Sequence, residues 1–204
     1  MGKADTYNER YAGEEYYWGK KPSAICDKVI EIIGPSKDFR PKLIDLGCGE
    51  GRNAVYFAKH GFEVVGLDVS EVGLKKAKKY AEKEGVHIRT VRADVKQFQL
   101  SDAYDVIFST GTLHYLPTKI RFKHFQNYKD STSCRGINAF SVFVKKPFIQ
   151  KAPDTVGKEY SFRSGELMGY YSDWEILYSV EEIFDCMSGG VPHKHCVDRI
   201  IARR

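Results

Sequence analysis

The feature that most constrains this chain is the glycine-rich segment Asp45-Leu-Gly-Cys-Gly-Glu-Gly51, which directly follows a short apolar run at residues 43–46. An amphipathic stretch comes next, so the glycines join a predicted strand to a predicted helix. Glycines let the backbone turn tightly there, and they let a ligand approach without a Cβ in the way. Ligands of open α/β sheets bind beyond the carboxyl ends of the strands. The segment therefore predicts a ligand-binding loop.

Strands and helices alternate around this loop. We predict a strand over 43–46, a helix over 53–60, a strand over 63–67, a helix that Ser70 caps and that runs to residue 84, and strands over 88–91 and 104–109. This alternation is typical of βαβ units with a parallel sheet. Helices then cover both faces, which explains why the strands are continuously apolar. The predicted fold is a doubly wound, mostly parallel α/β sheet in one domain of 204 residues.

The two ends of the chain fit this plan less regularly. A helix is expected after Pro22, with Ser23 as its N-cap and Gly34-Pro35 as its end. Residues 1–21, rich in tyrosine and glutamate, form a predicted N-terminal arm, a possible lid over a core of residues 22–204. Later we predict a helix over 118–129, a strand over 138–144, a short helix over 164–171, and strands over 174–183 and 197–202. The last two strands, around a glycine-rich turn at 188–190, form a predicted antiparallel hairpin.

Composition limits the function classes. The net charge is +5, and lysines are concentrated on one predicted helix face, at positions 75, 76, 78, 79 and 83. A run of charges of this kind is typical of a solvated surface. We therefore expect no nucleic-acid partner. Five cysteines without close CxxC pairs argue against a disulfide framework and a structural zinc site. Since the chain starts without an apolar leader and contains no span of roughly 18 apolar residues, we expect a cytoplasmic protein without membrane contact.

The loop also indicates which nucleotide it holds. In the dinucleotide fingerprint GxGxxG the third glycine allows close packing of helix on strand. Here Gly51 comes one position early and Arg52 occupies that slot, so we expect no close crossing and no pyrophosphate site. Asp68 ends the second strand and could accept from both ribose hydroxyls. Asp94 follows the third strand and either accepts from an adenine amino group or caps the next turn. An adenosine ligand without phosphates fits this set.

These residues carry a family resemblance. Asp45-Leu-Gly-Cys-Gly-Glu-Gly-Arg-Asn53, with Val55-Tyr-Phe-Ala58 and Gly61-Phe-Glu-Val64, resembles the class I S-adenosylmethionine-dependent methyltransferases. Gly-Arg-Asn after the loop, the stretch Phe162-Arg-Ser-Gly-Glu-Leu-Met-Gly-Tyr-Tyr171 and the terminal Ile201-Ala-Arg-Arg204 resemble the tellurite-resistance methyltransferase group. The resemblance implies a Rossmann-like methyltransferase sheet of seven strands whose last strand is antiparallel. One departure is Ser133-Cys-Arg-Gly136, where these enzymes often carry Pro-Gly-Gly.

The resemblance also implies S-adenosyl-L-methionine as cofactor and roles by position. Gly47, Gly49 and Gly51 would approach its methionine part and ribose, and Asp45 would orient the amino group. Asp68 would hold the ribose, while Ser109, Thr110 and Leu113 would line the floor near the methionine part. The full implied cofactor set is Asp45, Gly47, Cys48, Gly49, Gly51, Asn53, Asp68, Val69, Asp94, Val95, Ser109 and Leu113.

The methyl acceptor is less constrained. Transfer from a sulfonium needs alignment and exclusion of water more than a strong base. We expect a small, soft acceptor such as a tellurite- or selenite-type anion or a thiol. The candidates for contacting it are His114, Arg163, His193 and His195. Since no carboxylate partner for His193 and His195 is evident, no metal site is expected.

Two other function classes stay open. The first is an RNA or protein methyltransferase. Base-methylating enzymes resemble one another in an Asn/Asp-Pro-Pro-aromatic stretch, but Ser109-Thr-Gly-Thr-Leu-His-Tyr115 stands at that place. The second is a non-catalytic domain that binds S-adenosylmethionine, or a dehydrogenase domain of the NAD type. The early third glycine disfavours NAD. The state of assembly is expected to be a monomer or a homodimer.

Overall fold

The computed structural model describes residues 3–150, 159–187 and 190–204. Six α-helices, one short 3₁₀ helix (Leu113–Tyr115) and seven strands follow one another along these residues. The helices are α1 (Lys3–Arg10), α2 (Ile25–Ile33), α3 (Arg52–Lys59), α4 (Glu71–Lys83), α5 (Thr118–Asp130) and α6 (Glu166–Gly169). The strands are β1 (Lys42–Leu46), β2 (Glu63–Asp68), β3 (Arg89–Arg92), β4 (Tyr104–Thr110), β5 (Thr132–Phe143), β6 (Glu175–Cys186) and β7 (His193–Arg203).

The strands form one sheet in the order β3-β2-β1-β4-β5-β7-β6. Strands β1 to β5 run parallel to one another, whereas β7 runs antiparallel to both β5 and β6. The predicted seven-stranded, doubly wound sheet with an antiparallel last strand is confirmed. The chain order reverses between β1 and β4, and this switch is where the loops after neighbouring strands part and leave a crevice.

Two apolar layers hold the helices on the sheet. On one face, α2, α3 and α4 pack through side chains such as Val29, Phe57 and Leu74. On the other face, α5 and α6 pack through side chains such as Phe125 and Leu167. Because β1 is buried on both faces, it carries a run of apolar side chains interrupted by Asp45 alone.

Several local predictions need correction. Ser23 does not cap α2: the N-cap is Ala24, no side chain caps it, and the Ser23 N–H is instead donated to Asn53 Oδ1 at 2.9 Å. The short helix predicted over 164–171 is limited to Glu166–Gly169. Its N-cap residue, Gly165, has a left-handed backbone conformation. The predicted glycine-rich turn at 188–190 lies partly outside the described residues.

Strand β5 begins six residues earlier than predicted. The segment Ser133-Cys-Arg-Gly136, at the place of the expected Pro-Gly-Gly turn, lies within β5, and Arg135 adopts a φ of 61°. The pairing of β4 with β5 is irregular between Tyr104 and Val106, as expected when a strand holds extra residues. Among the described residues, no helix combines the length and apolar composition that a membrane crossing requires.

Candidate active site

A cleft of about 830 Å³ opens at the carboxyl ends of the parallel strands. Its wall includes the glycine loop after β1, the ends of β2 and β4, and the segment after β3. Eight of the residues predicted to contact the cofactor line it, namely Gly47, Cys48, Gly49, Asn53, Asp68, Val69, Asp94 and Val95. The volume lies within the range of small-molecule and cofactor sites, about 300 to 1,000 Å³.

The loop needs its first two glycines for different contacts. Gly47 has a φ of 82°, and a Cβ there would lie 1.9 Å from Thr112 Oγ1. Gly49 has a φ of 54°, and a Cβ there would lie 3.0 Å from the Tyr11 hydroxyl oxygen. The N–H groups of Gly47 and Cys48 donate hydrogen bonds of 2.7 and 2.9 Å to the Leu67 carbonyl, and these bonds hold the loop against β2. The loop is therefore a close-packed backbone turn, and a side chain at either Gly47 or Gly49 would displace it.

Gly51 has a different role from the one expected. It has a φ of 89°, and a Cβ there would lie 2.8 Å from the Ala77 Cβ of α4. The expectation that the early third glycine leaves no close crossing is wrong, because Gly51 provides close contact with α4. It is buried behind the cleft wall rather than facing the ligand space.

Asp68 holds the loop from the neighbouring strand. Its Oδ2 accepts the Gly49 N–H at 2.8 Å, and its Oδ1 accepts the Ser70 N–H at 2.8 Å. Burial raises the pKa of the Asp68 carboxyl, and backbone N–H groups of Ser70, Gly49 and Val69 oppose that rise. The carboxylate still borders the cleft, so it has lone pairs for a ligand hydroxyl.

Asp94 caps a turn, which is one of its two alternative roles, and its position leaves the other role possible. Its Oδ1 accepts the Lys96 N–H at 2.9 Å, so the side chain caps the turn after β3. Its Oδ2 lies 3.0 Å from Lys96 Nζ in a half-exposed ion pair. The residue also lines the cleft beside Val95. A turn cap and a ligand contact are therefore compatible at this position.

Asp45 lies buried directly behind the loop. Neither of its carboxylate oxygens accepts a hydrogen bond from any residue that the structure describes. Burial, followed by the charge of Asp68, raises the pKa of Asp45 to about 7, while Arg52 lowers it. A buried carboxylate in this state is readily ionised by a positive charge that enters the adjacent space.

Ser109 and Leu113 also lie behind the wall and do not line the floor of the cleft. Both are fully buried, and Ser109 Oγ donates to the Leu46 carbonyl at 2.7 Å, joining β4 to β1. Thr110, which was predicted with them, does line the cleft, and so does Thr112. Thr110 Oγ1 accepts from Asn53 Nδ2 at 3.0 Å, so the start of α3 is tied to the end of β4.

The N-terminal arm packs in two directions. Tyr7, Arg10, Tyr11 and Trp18 line the cleft, and the hydroxyls of Tyr7 and Tyr115 are 2.6 Å apart. Tyr11 is only 4% exposed and contacts Gly49 and Gly73. Tyr16 instead packs on the outer side of α4, against Tyr80 at a centroid distance of 5.4 Å. Tyr7 and Arg10, absent from the predicted site, are found only once α1 is seen to lie beside the loop.

The predicted acceptor residues do not converge on one point. His114 is buried, lines the cleft, and has its Nε2 3.8 Å from Glu159 Oε1. Arg163 is exposed outside the cleft, and its N–H is donated to Glu166 Oε2. His195 lines the cleft, whereas His193 lies behind it.

Cys186 is a member of this region that the sequence analysis missed. It stands opposite His193 in the β6–β7 pairing and lines the cleft. The predicted hairpin with a turn at residues 188–190 was a partial signal: it brings position 186 near 192 and 193, but it would pair 186 with 192, one residue away from the observed register. Glu159, Lys145 and Lys194 also line this part of the cleft and were not predicted.

The comparisons with known proteins agree with this geometry. Residues 6–189 match the family model described as tellurite resistance protein TehB. The chain is 31% identical over 172 residues to a "Probable S-adenosyl-L-methionine-dependent methyltransferase TehB" of Haemophilus influenzae, covering 82% of this chain and 57% of that protein. The crystal structure of TehB from Haemophilus influenzae superposes with a TM-score of 0.77 at 25% identity, covering 100% of this chain and 68% of that one.

A further relative is a 2-heptyl-1-hydroxyquinolin-4(1H)-one methyltransferase of Mycobacteroides abscessus, 28% identical over 151 residues, which are 71% of this chain and 66% of that protein. The chain spans little more than half the length of its Haemophilus relative. The family match nevertheless includes the glycine loop, Asp68, Asp94 and His114, all within residues 6–189. This chain belongs to the TehB family of class I S-adenosylmethionine-dependent methyltransferases.

Proposed function

We propose that the protein transfers a methyl group from S-adenosyl-L-methionine to a small, soft acceptor, such as a tellurite- or selenite-type anion or a thiol. One observation carries the proposal: a single cleft joins the glycine loop and Asp68 to a second region around His114 and His195. Asp68 lies on β2 and His195 on β7, with β1, β4 and β5 between them in the sheet. The cleft therefore has room for a cofactor and an acceptor side by side.

The residues on the cofactor side fit an adenosine sulfonium. Asp68 would accept from the ribose hydroxyls, Asp94 and Val95 would border the adenine, and the backbone at Gly47 and Gly49 would lie along the methionine part. The buried carboxylate of Asp45 favours a ligand that carries positive charge, as this cofactor does. When bound, the cofactor supplies a methyl group already activated by its sulfonium.

The protein's own contribution is positioning and exclusion of water. The Tyr7–Tyr115 hydroxyl contact and the Tyr11 hydroxyl beside Gly49 support a covering role for the arm. The arm's opening and closing as a lid is part of this proposal. Such a cover restricts access, which favours a small acceptor over a nucleic acid or a protein.

On the acceptor side, the side chains are suited to an anion or a thiol. Lys145 and Lys194 are among the residues that line the cleft, although the Lys194 ammonium is paired with Asp185 at 2.7 Å. His114, beside Glu159, would hold a proton released by a protonated acceptor. A soft anion needs no such proton transfer, so His114 matters more for a thiol.

Calorimetric titration tests the cofactor half. We expect S-adenosylhomocysteine to bind with one equivalent per chain and NAD not to bind. Tight NAD binding without S-adenosylhomocysteine binding would overturn the proposal. The cytoplasmic location, the absence of a nucleic-acid partner and the monomeric or dimeric state stay predictions.

An acceptor screen tests the other half. Tellurite, selenite and small thiols are each incubated with S-adenosylmethionine, and methylated products are measured by mass spectrometry. We expect His114→Gln to lower turnover of a thiol more than turnover of an anion, and the exposed His87→Gln to change neither. Methylation of RNA or protein with no small-molecule product would contradict a small acceptor.

A further inference from the structure

Three potential metal ligands come together where β6 meets β7. Cys186 ends β6, and His193 and His195 begin β7, with Cys186 directly opposite His193 in the pairing register. One ligand atom from each residue lies within 4.8 Å of the other two. Because His193 and His195 are two apart on one strand, their side chains share a face of the sheet.

The ring of His193 is oriented as in many metal sites. Its Nδ1 is 2.7 Å from the Val191 carbonyl oxygen, and since that oxygen can only accept, Nδ1 carries the proton. Its Nε2 then has the lone pair, and it points toward His195 Nε2, 2.9 Å away. A histidine that binds a metal through one ring nitrogen usually donates a hydrogen bond from the other, often to a backbone carbonyl, and this bond sets the orientation of the ring.

The spacing also suits a tetrahedral ion. Two histidine nitrogens at the usual distance from Zn²⁺ are about 3.3 Å apart in a tetrahedral site. The observed 2.9 Å separation requires only a small movement. The His195 ring is held between Phe143 and Phe184, at centroid distances of 4.6 and 5.7 Å, which limits how far it turns.

We propose that Cys186, His193 and His195 form a binding site for a borderline-soft divalent cation of the Zn²⁺ type. The sequence-based expectation of no metal considered a carboxylate as the missing partner, whereas the structure supplies a thiol from the opposite strand. One Cys and two His ligands are a known zinc set. Binding converts the Cys186 thiol to a thiolate and releases one proton to solvent.

The fourth coordination position of such an ion would face the cleft, because Cys186 and His195 both line it. Sites with three protein ligands keep such a position for water or substrate. An anionic or thiol acceptor would bind there. That role rests on the proposed function, whereas binding of the cation does not.

The test uses the full chain, stripped with a chelator and desalted. Zn²⁺ is titrated by calorimetry, and Co²⁺ by absorption, where a thiolate ligand gives a charge-transfer band. We expect one equivalent of tight binding with that band. Cys186→Ser abolishes the band, and Cys186→Ser, His193→Gln or His195→Gln each weakens binding more than about 100-fold, since even outer partners of a ligand are worth about 10- to 100-fold.

Matched controls are Cys134→Ser and His87→Gln, both at exposed positions away from the cluster, which should bind as the parent does. Thermal unfolding and S-adenosylhomocysteine titration of every variant show that the fold and the cofactor half are intact. Weak or superstoichiometric Zn²⁺ binding would overturn the site, as would binding that is unchanged in Cys186→Ser. Neither result depends on methyl transfer, so failure of the metal site and failure of the proposed function are distinguishable.

Discussion

Lys76 of α4 forms a buried ion pair with Glu50 of the glycine loop, with 2.6 Å between Nζ and Oε1. The same ammonium donates hydrogen bonds to the backbone carbonyls of Tyr11, Gly13 and Glu15, with Nζ–O distances of 3.3, 2.9 and 2.7 Å. One side chain therefore connects the glycine loop, helix α4 and the N-terminal arm. We therefore expect that loss of the Lys76 contacts increases the mobility of both the N-terminal arm and the glycine loop.

Lys76→Met should release the arm and weaken cofactor binding. The change leaves Glu50 buried without its cation, and breaking one side of a buried pair costs about 3 to 5 kcal/mol. We expect faster hydrogen exchange in residues 7–20 and a faster dissociation of S-adenosylhomocysteine. The neighbouring Lys75→Met is the control, because its side chain is 74% exposed and pairs only with Glu71 among the described residues. Unchanged exchange in the arm would show that Lys76 does not anchor it.

Gly47→Ala should abolish cofactor binding and lower stability. The new Cβ meets the Thr112 side chain at 1.9 Å, and the φ of 82° strains any side chain. Gly165→Ala is the matched control, since Gly165 also has a positive φ, of 73°, but has open space around its Cβ position. The difference between the two variants in urea unfolding isolates the clash from the strain. Equal losses would mean that the loop moves aside freely.

Much of the site was predictable because it depends on local sequence. Strand ends in a parallel sheet share one edge, so Asp68 and Asp94 were expected beside the glycine loop, and the structure brings them there. Gly51 was misjudged because its neighbour, Ala77, is 26 positions later in the chain, and the sequence alone does not show which helix crosses the loop. Ser109 was misjudged because inward and outward positions on a strand buried on both faces look alike.

The least predictable contacts are those between the arm and the core. Tyr11 contacts Gly49, and Tyr7 contacts Tyr115 across 108 positions. No periodicity links such residues, since the pairing is set by how α1 docks. The Cys186 and His193 pair lies between these extremes, because a hairpin predicts that the two residues are near each other, whereas the predicted turn at 188–190 is one residue out of the observed register.

Asp68→Ala should weaken S-adenosylhomocysteine binding by about 1 to 3 kcal/mol, through lost hydrogen bonds to the ribose and a loosened loop. The Gly49 and Ser70 N–H groups lose their acceptor in the same variant. Asp102→Ala is the control, an acid in the loop before β4 whose side chain is 52% exposed. Calorimetry gives the affinities. An affinity equal to the parent's would mean that the ribose binds elsewhere.

Asp45 should make the stability of the protein without cofactor depend on pH. Its pKa is raised from 3.8 to about 7, chiefly by burial and then by Asp68, so the folded chain retains a proton that the unfolded chain releases near pH 4. Stability that is present below about pH 4 is therefore lost as pH rises toward 7, at about 1.4 kcal/mol per pH unit at most.

Asp45→Asn removes this titration while keeping the shape of the side chain. Urea unfolding from pH 5 to 8 should show the parent losing stability relative to the variant up to pH 7, and a constant difference above it. Saturating S-adenosylhomocysteine, whose ammonium favours the ionised carboxylate, should shift that loss of stability to lower pH in the parent alone. If the two proteins had parallel profiles throughout, Asp45 would already be ionised in the folded state, with a partner for its charge.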